Sequence, residues 1–169
     1  MPLEIRVREL SPEDSIEELT ALIHAGYAEL GRRGFNFPGV DQCAEITAQR
    51  ASRGICIVAE AQGTFLGTIL LQGPFRRAPS SFLVREDVAC FMQFAVHPAW
   101  RHLHIGSQLL AQAEIHAAAA GRAYLCTDTA VGTPELVAYY RRQGYEPVEE
   151  MQWPGKTYRS VVLAKTLVR

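Results

Sequence analysis

The nine residues VACFMQFAV, 88 to 96, are apolar on both faces of an extended chain. Such a strand has to be covered on both sides, so it predicts the centre of a sheet with a layer of structure above and below it. The first strand, LEIRVREL, has the opposite pattern. Ile5 and Val7 fall on one side and Arg6 and Arg8 on the other, as in a strand half exposed to water.

The other elements follow from periodicity and breakers. Ser11-Pro12-Glu13-Asp14 offers an N-cap, a proline at the first helical position and acids for the first turn. Ile16, Leu19, Leu22 and Ile23 follow at helical spacing, which predicts an amphipathic helix over 12–30. GRRGFNFPG (31–39) interrupts it, and a second helix is expected from Asp41 as N-cap to about Ser52. ICIVAEA and TFLGTILLQG flank Gln62-Gly63, a hairpin signature. Residues 74–87 are polar, proline-punctuated and irregular. Ile105 to Ala120 reads as a helix ended by Gly121, and AYLCTDTA as a strand. Thr133-Pro134-Glu135 opens a helix that runs to Gln143 and stops at Gly144. TYRSVVLAKTL is a final strand. The order β-α-α-β-β-β-α-β-α-β, with no repeat or low-complexity tract, predicts one mixed α/β domain over 1–169.

Composition narrows the function classes. With 48% hydrophobic and 21% charged residues the chain is a globular protein, and 169 residues can bury a sizeable core. A net charge of −1 argues against nucleic-acid binding driven by bulk charge. The longest apolar runs fall far short of a membrane span, and MPLEIRVREL lacks the pattern of a secretory signal. Cys43, Cys56, Cys90 and Cys126 are scattered, without CxxC pairing. The expectation is a cytoplasmic protein with reduced thiols.

The junction HPAWRHLHIGSQLL carries the chemistry. A strand feeds a helix whose first N–H groups lack partners and whose dipole adds partial positive charge, so it suits a phosphate. Arg101 adds a full charge, and Gly106 lets the backbone approach a bulky anion. An ordinary strand-to-helix connection with a packing glycine has the same features. However, V-x-P-x-x-R-x-x-x-I-G-x-x-L-L (96–110) resembles the pyrophosphate-binding motif of the GNAT superfamily of acyl-CoA N-acyltransferases. AYYRRQGYEPV (138–148) resembles that family's helix ending in a tyrosine, three residues, a glycine and an aromatic. His104 stands where the family has its first glycine, and Thr133 where it has an asparagine.

The resemblance implies a mostly antiparallel sheet flanked by helices, with the strand matching 90–96 splayed from the one matching 124–130. Backbone amides near Phe94, Ala95 and Val96 would then serve the pantetheine arm of acetyl-CoA. The remaining coenzyme contacts would come from Arg101, His102, Leu103, His104, Ile105, Gly106, Ser107, Thr133 and Tyr140. The implied reaction moves an acetyl or other acyl group from the coenzyme to a primary amine, a small molecule or a peptide. The implied general acid toward the departing thiolate is Tyr140.

Each residue also has a plainer role. Tyr140 can be a core tyrosine, as its neighbour Tyr139 can. Asp128, near the end of its strand, can serve as general base or be a surface aspartate. Cys90 occupies a position where some members carry a glutamate, and Gln93 can orient water but cannot take a proton. Arg33, Phe35 and Phe37, with Arg32, line the acceptor side by resemblance, or form a solvated loop. His97, His102 and His104 lie close in sequence, but without a nearby cysteine pair they predict no metal site. No nucleic acid or membrane partner is expected, and a homodimer is left open. The competing functions are an acyl-CoA-binding sensor without turnover and a phosphate-binding scaffold.

Overall fold

Residues 2–167 are described by a computed structural model. The strands are β1 (Arg6–Glu9), β2 (Ile55–Ala61), β3 (Thr64–Gln72), β4 (Val88–Val96), β5 (Tyr124–Ala130), β6 (Glu146–Met151) and β7 (Ser160–Thr166). The helices are α1 (Ile16–Arg32), α2 (Ala44–Ala51), α3 (Ile105–Ala119) and α4 (Pro134–Arg142). The strands form one mixed sheet in the order β1-β2-β3-β4-β5-β7-β6, with β4 at its middle as its apolar faces require. Only β4 and β5 run parallel; every other neighbouring pair is antiparallel.

Alternation along β2 sorts the two layers. Cys56 and Val58 meet Leu19, Leu22 and Ile23 of α1 on one face. Ile57 and Ala59 meet Ile105, Leu109 and Ala113 of α3 on the other. Phe91 of β4 joins the α3 side, where Tyr140 and Tyr145 complete an aromatic cluster. The Gln62-Gly63 hairpin forms as expected, both residues having positive φ (52° and 75°), as a type I′ turn needs.

Three elements differ from the sequence expectation. First, α1 begins at Ile16, capped by Ser15, whose Oγ accepts from Glu18 N at 3.1 Å. Ser11 does not cap it, because the Asp14 carboxylate is used elsewhere. It accepts from Ser11 N at 2.7 Å and from Arg8 at 2.6 Å. The Arg8 bonds hold the Asp14 carboxyl down at about 2. Second, Asp41 closes a 3-10 turn (Pro38–Val40) rather than capping α2, which starts at Ala44 behind Cys43. The intervening Gln42 turns inward, where its Nε2 donates to Gln93 Oε1 at 2.8 Å and to Thr47 Oγ1 at 2.9 Å. Third, EPVEEM forms an additional edge strand, β6. Pro147 and its glutamates gave no strand signal, yet proline and charge suit an exposed edge, where they block further pairing.

Glu149 of β6 also shapes the irregular 74–87 segment. Its carboxylate accepts from Ser80 Oγ at 2.5 Å and from Ser81 N at 3.1 Å, which keeps its pKa low. Arg85 stacks over Phe82 and Tyr124, pinning the far end of the same loop.

Candidate active site

The sheet forks where β4 and β5 part. They pair only over Val88–Cys90 and Tyr124–Cys126. At the next step Thr127 donates its hydroxyl to Phe91 O at 3.1 Å, and beyond that point the strands diverge. A bulge sharpens the fork: Thr68 opposes Ala95 and Leu70 opposes Met92, so Gln93 and Phe94 share one partner position. Gln93 takes φ +51°, a left-handed conformation unusual for its type. It is 5% exposed, and its Nε2 has no partner.

The fork opens into a cleft of about 670 Å³ on the face covered by α1 and α2. Tyr140, Asp128, Gln93, Phe94 and Phe37 all line it, so five of the sequence candidates converge. Tyr140 is only 8% exposed and packs within 6.3 Å of Phe91, Phe94, Tyr139 and Tyr145. Burial raises its hydroxyl pKa well above the usual phenol value, with smaller contributions from Tyr27, Tyr139 and Asp128. Among the described residues no hydrogen bond contributes to that shift. Asp128 is also raised, chiefly by burial, with the Ser160 and Trp153 side chains partly offsetting it. Trp153 Nε1 donates to Asp128 Oδ2 at 2.9 Å. Tyr27, moved up to about 12 by burial, faces the same space.

Except for Phe94 and Tyr140, the coenzyme candidates do not line this cleft, and most lie around the start of α3. Arg101, His102 and Leu103 belong to a 3-10 segment (Pro98–Leu103), and His104 joins it to α3. Ile105, Gly106 and Ser107 form the first turn, whose N–H groups have no helical acceptor. Gly106 lies close under two aromatic side chains: a Cβ would lie 2.6 Å from Tyr139 Oη and 3.2 Å from Phe94 Cζ, so a larger residue would push Tyr139 aside. Ala95 and Val96 pair with Thr68 and Gly67 of β3, so their other edge faces the fork. An extended amide-bearing arm fits that unpaired edge, and an anionic group fits the α3 end. Thr133 sits at the α4 N-cap position, but its hydroxyl is buried and donates back to Ala130 O at 2.7 Å instead of capping. Among the described residues no three His, Cys, Asp or Glu side chains gather as a metal set.

Arg101 Nη2 donates to Gly26 O at 3.1 Å, tethering this turn to α1. Arg101→Glu places a negative charge beside the helix end, and acetyl-CoA affinity is expected to fall at least tenfold. Calorimetric titration checks this, and unchanged affinity would move the phosphate elsewhere. His104 explains why a glycine is natural at its position: its φ is +54°. His104→Gly relieves that conformation and is expected to add about 0.5–1 kcal/mol of stability, roughly 1–4 °C in melting temperature. A lower melting temperature would show that the imidazole makes a stabilising contact.

The acceptor candidates divide. Phe37 lines the cleft with Tyr27 and Tyr158. Arg33 instead pairs with Glu135 and reaches Gly132 O, and Phe35 packs below Gly132, docking the 31–39 segment onto the start of α4. The cleft takes its cations from residues that sequence reasoning missed: Arg50 and Arg53 at the end of α2, Arg76 and Arg77 in the irregular loop, and Lys156. They belong to no motif, and the only signal was charge density in QRASR and FRR.

The comparisons with known proteins agree with this architecture. A family model described as an acetyltransferase (GNAT) domain matches residues 52–147. The S-(2-succino)cysteine N-acetyltransferase of Bacillus subtilis is 26% identical over 160 residues, covering 94% of each chain. The ribosomal-protein-S18-alanine N-acetyltransferase of Escherichia coli shares the fold at TM-score 0.73 and 14% identity, covering 98% of this chain and 96% of that one. A GNAT-family acetyltransferase of Elizabethkingia anophelis, solved with acetyl-CoA bound, does so at TM-score 0.70 and 15% identity, covering 96% and 98%. With a family model spanning more than half its length and a fold shared from end to end, the chain belongs to the GNAT family of acetyltransferases.

Proposed function

We propose that the protein transfers an acetyl group from acetyl-CoA to the primary amine of a small molecule by direct attack in the cleft beside Tyr140. One observation carries this: the buried, hydroxyl-bearing ring of Tyr140 lines the cleft where β4 and β5 part. The coenzyme is held by the α3 end and the open edge of β4. Asp128 takes a proton from the incoming ammonium group, leaving the nitrogen its lone pair. The nitrogen bonds to the thioester carbon, the carbon–sulfur bond breaks with its electron pair staying on sulfur, and the nitrogen releases its second proton to water as the amide forms. Tyr140 gives its proton to that sulfur, and solvent exchange resets both side chains.

The Bacillus relative is named for acetylating the amine of S-(2-succino)cysteine, which supports a small amino-acid-like acceptor here. The alternative is a sensor that binds acyl-CoA without turnover. It draws support from the Trp153 bond that occupies one Asp128 oxygen. Thiol release from acetyl-CoA decides between them, using S-(2-succino)cysteine, L-glutamate, L-glutaminamide and spermidine as acceptors. Amine-dependent release establishes transfer. Tight coenzyme binding with no release from any amine favours the sensor.

A further inference from the structure

The cleft has a lopsided charge. Its lining holds five cationic side chains (Arg50, Arg53, Arg76, Arg77 and Lys156) and one carboxylate, Asp128. The whole chain carries a net charge of −1, so this is a local concentration of positive charge. Arg76 is neutralised by Glu86 at 2.5 Å. Lys156 donates to the Asn36 carbonyl at 2.8 Å and makes no ion pair among the described residues, with Asp41 and Asp128 attracting it from farther off.

Arg50 is the unusual member. It is half-buried, and among the described residues its one hydrogen bond is to the weak acceptor Met92 Sδ at 4.0 Å. Neither Arg50, Arg53 nor Arg77 has an acidic partner among the described residues. A guanidinium partly removed from water without an anion is unfavourable, and like-charged Arg53 adds to the strain. The adjoining β4 wall presents Gln93, whose unpartnered polar atom is also a donor. The α2–β4 side of the cleft therefore offers donors, while Asp128, the one acid, belongs to the opposite strand, β5.

These cations are not placed to serve the coenzyme phosphates. The segment from Ala95 through Ser107, including the whole α3 end, contributes nothing to the cleft lining. They face what enters from the α1–α2 side. The cleft volume suits a small molecule rather than a folded partner.

Resting on the acetyl-transfer reading, we infer that the acceptor is a small amine bearing at least two carboxylates, with Arg50 as the residue that selects it. One carboxylate pairs with the Arg50 guanidinium beside Gln93. A second lies toward Arg53 and Arg77 at the mouth, and the amine points to Asp128. Planar guanidinium donors match carboxylates two bonds at a time, so the arrangement selects charge and shape together.

Two measurements test this. In the first, kcat/KM is compared across S-(2-succino)cysteine, L-glutamate, L-glutaminamide and spermidine, which carry three, two, none and none of the required carboxylates. The value is expected to fall at least thirtyfold from the carboxylate-bearing amines to the uncharged or cationic ones. Comparable or better use of L-glutaminamide or spermidine overturns the inference. In the second, Arg50→Gln is expected to raise the Kd of S-(2-succino)cysteine, measured calorimetrically with coenzyme A present, by about thirtyfold. Its acetyl-CoA affinity should stay within twofold, and Arg50→Lys should recover part of the loss. Unchanged polycarboxylate affinity in a folded Arg50→Gln overturns the role of Arg50. Should that variant not fold, Arg53→Gln and Arg77→Gln, both exposed, are each expected to weaken binding severalfold, and no effect from either counts against the site. Carboxylate-dependent binding without turnover would leave this inference standing while removing the transfer reaction.

Discussion

Tyr140→Phe is expected to keep the fold and acetyl-CoA affinity while losing about a hundredfold or more of turnover. The ring stays in its cluster against Phe91, Phe94 and Tyr145, so packing changes little. The lost hydroxyl makes no hydrogen bond that contributes to its raised pKa, so the native fold has little to lose with it. What disappears is a proton supply that matters only when the thiolate departs. The loss should therefore fall on kcat, as for an interaction made in the transition state. An acyl donor whose thiol is more acidic leaves more easily unprotonated and should recover part of the rate. Tyr139→Phe is the matched comparison. Its hydroxyl lies over Gly106 at the α3 end, so any effect should appear in coenzyme affinity rather than turnover. Turnover by Tyr140→Phe within a fewfold of wild type would make the tyrosine a packing residue.

The sheet centre and the helix-end motif proposed to hold the coenzyme were legible because local sequence dictates them. An apolar strand such as β4 has one place to go, and a strand followed by a helix end advertises its own unpaired amides. Gly106 and the Tyr140–Gly144 spacing are local patterns too. The acceptor half was not legible, because it is assembled from elements far apart in the chain. Arg50, Arg77, Asp128 and Lys156 meet only after β4 and β5 have forked. Arg33 looked like an acceptor ligand from its loop, yet Glu135, over a hundred residues on, takes its charge. The bulge at Gln93 was equally hidden. Nothing in FMQFAV announces a left-handed residue, and it is held by Gln42, which sequence periodicity assigned to a helix. That inward turn of Gln42 displaced the start of α2 and set Gln93 at the fork. Long-range polar pairing thus overrode local helix signals at the place where the site is built.

Asp128→Asn is expected to separate function from stability. Burial raises the Asp128 carboxyl pKa, so folding favours the protonated acid. A group raised in this way contributes stability below its unfolded pKa and loses that contribution as pH climbs through its folded value. Once ionised, the buried carboxylate is therefore a net cost to the fold. Asparagine removes the charge, and its Oδ1 can still accept from Trp153 Nε1, which now bonds Asp128 at 2.9 Å. The melting temperature should rise on the alkaline side of the Asp128 titration, and the gain should vanish on its acid side, where both side chains are neutral. Turnover should move the other way, falling about a hundredfold, because an amide cannot take the amine's proton. The wild-type acid limb of kcat/KM, set by ionisation of Asp128, should disappear in the variant. Activity in Asp128→Asn should then recover as pH approaches the pKa of the acceptor amine, where the free base is already present. A variant that unfolds more readily at pH 7 and retains full turnover would assign Asp128 to holding Trp153 in place, and the base would have to be sought elsewhere in the cleft.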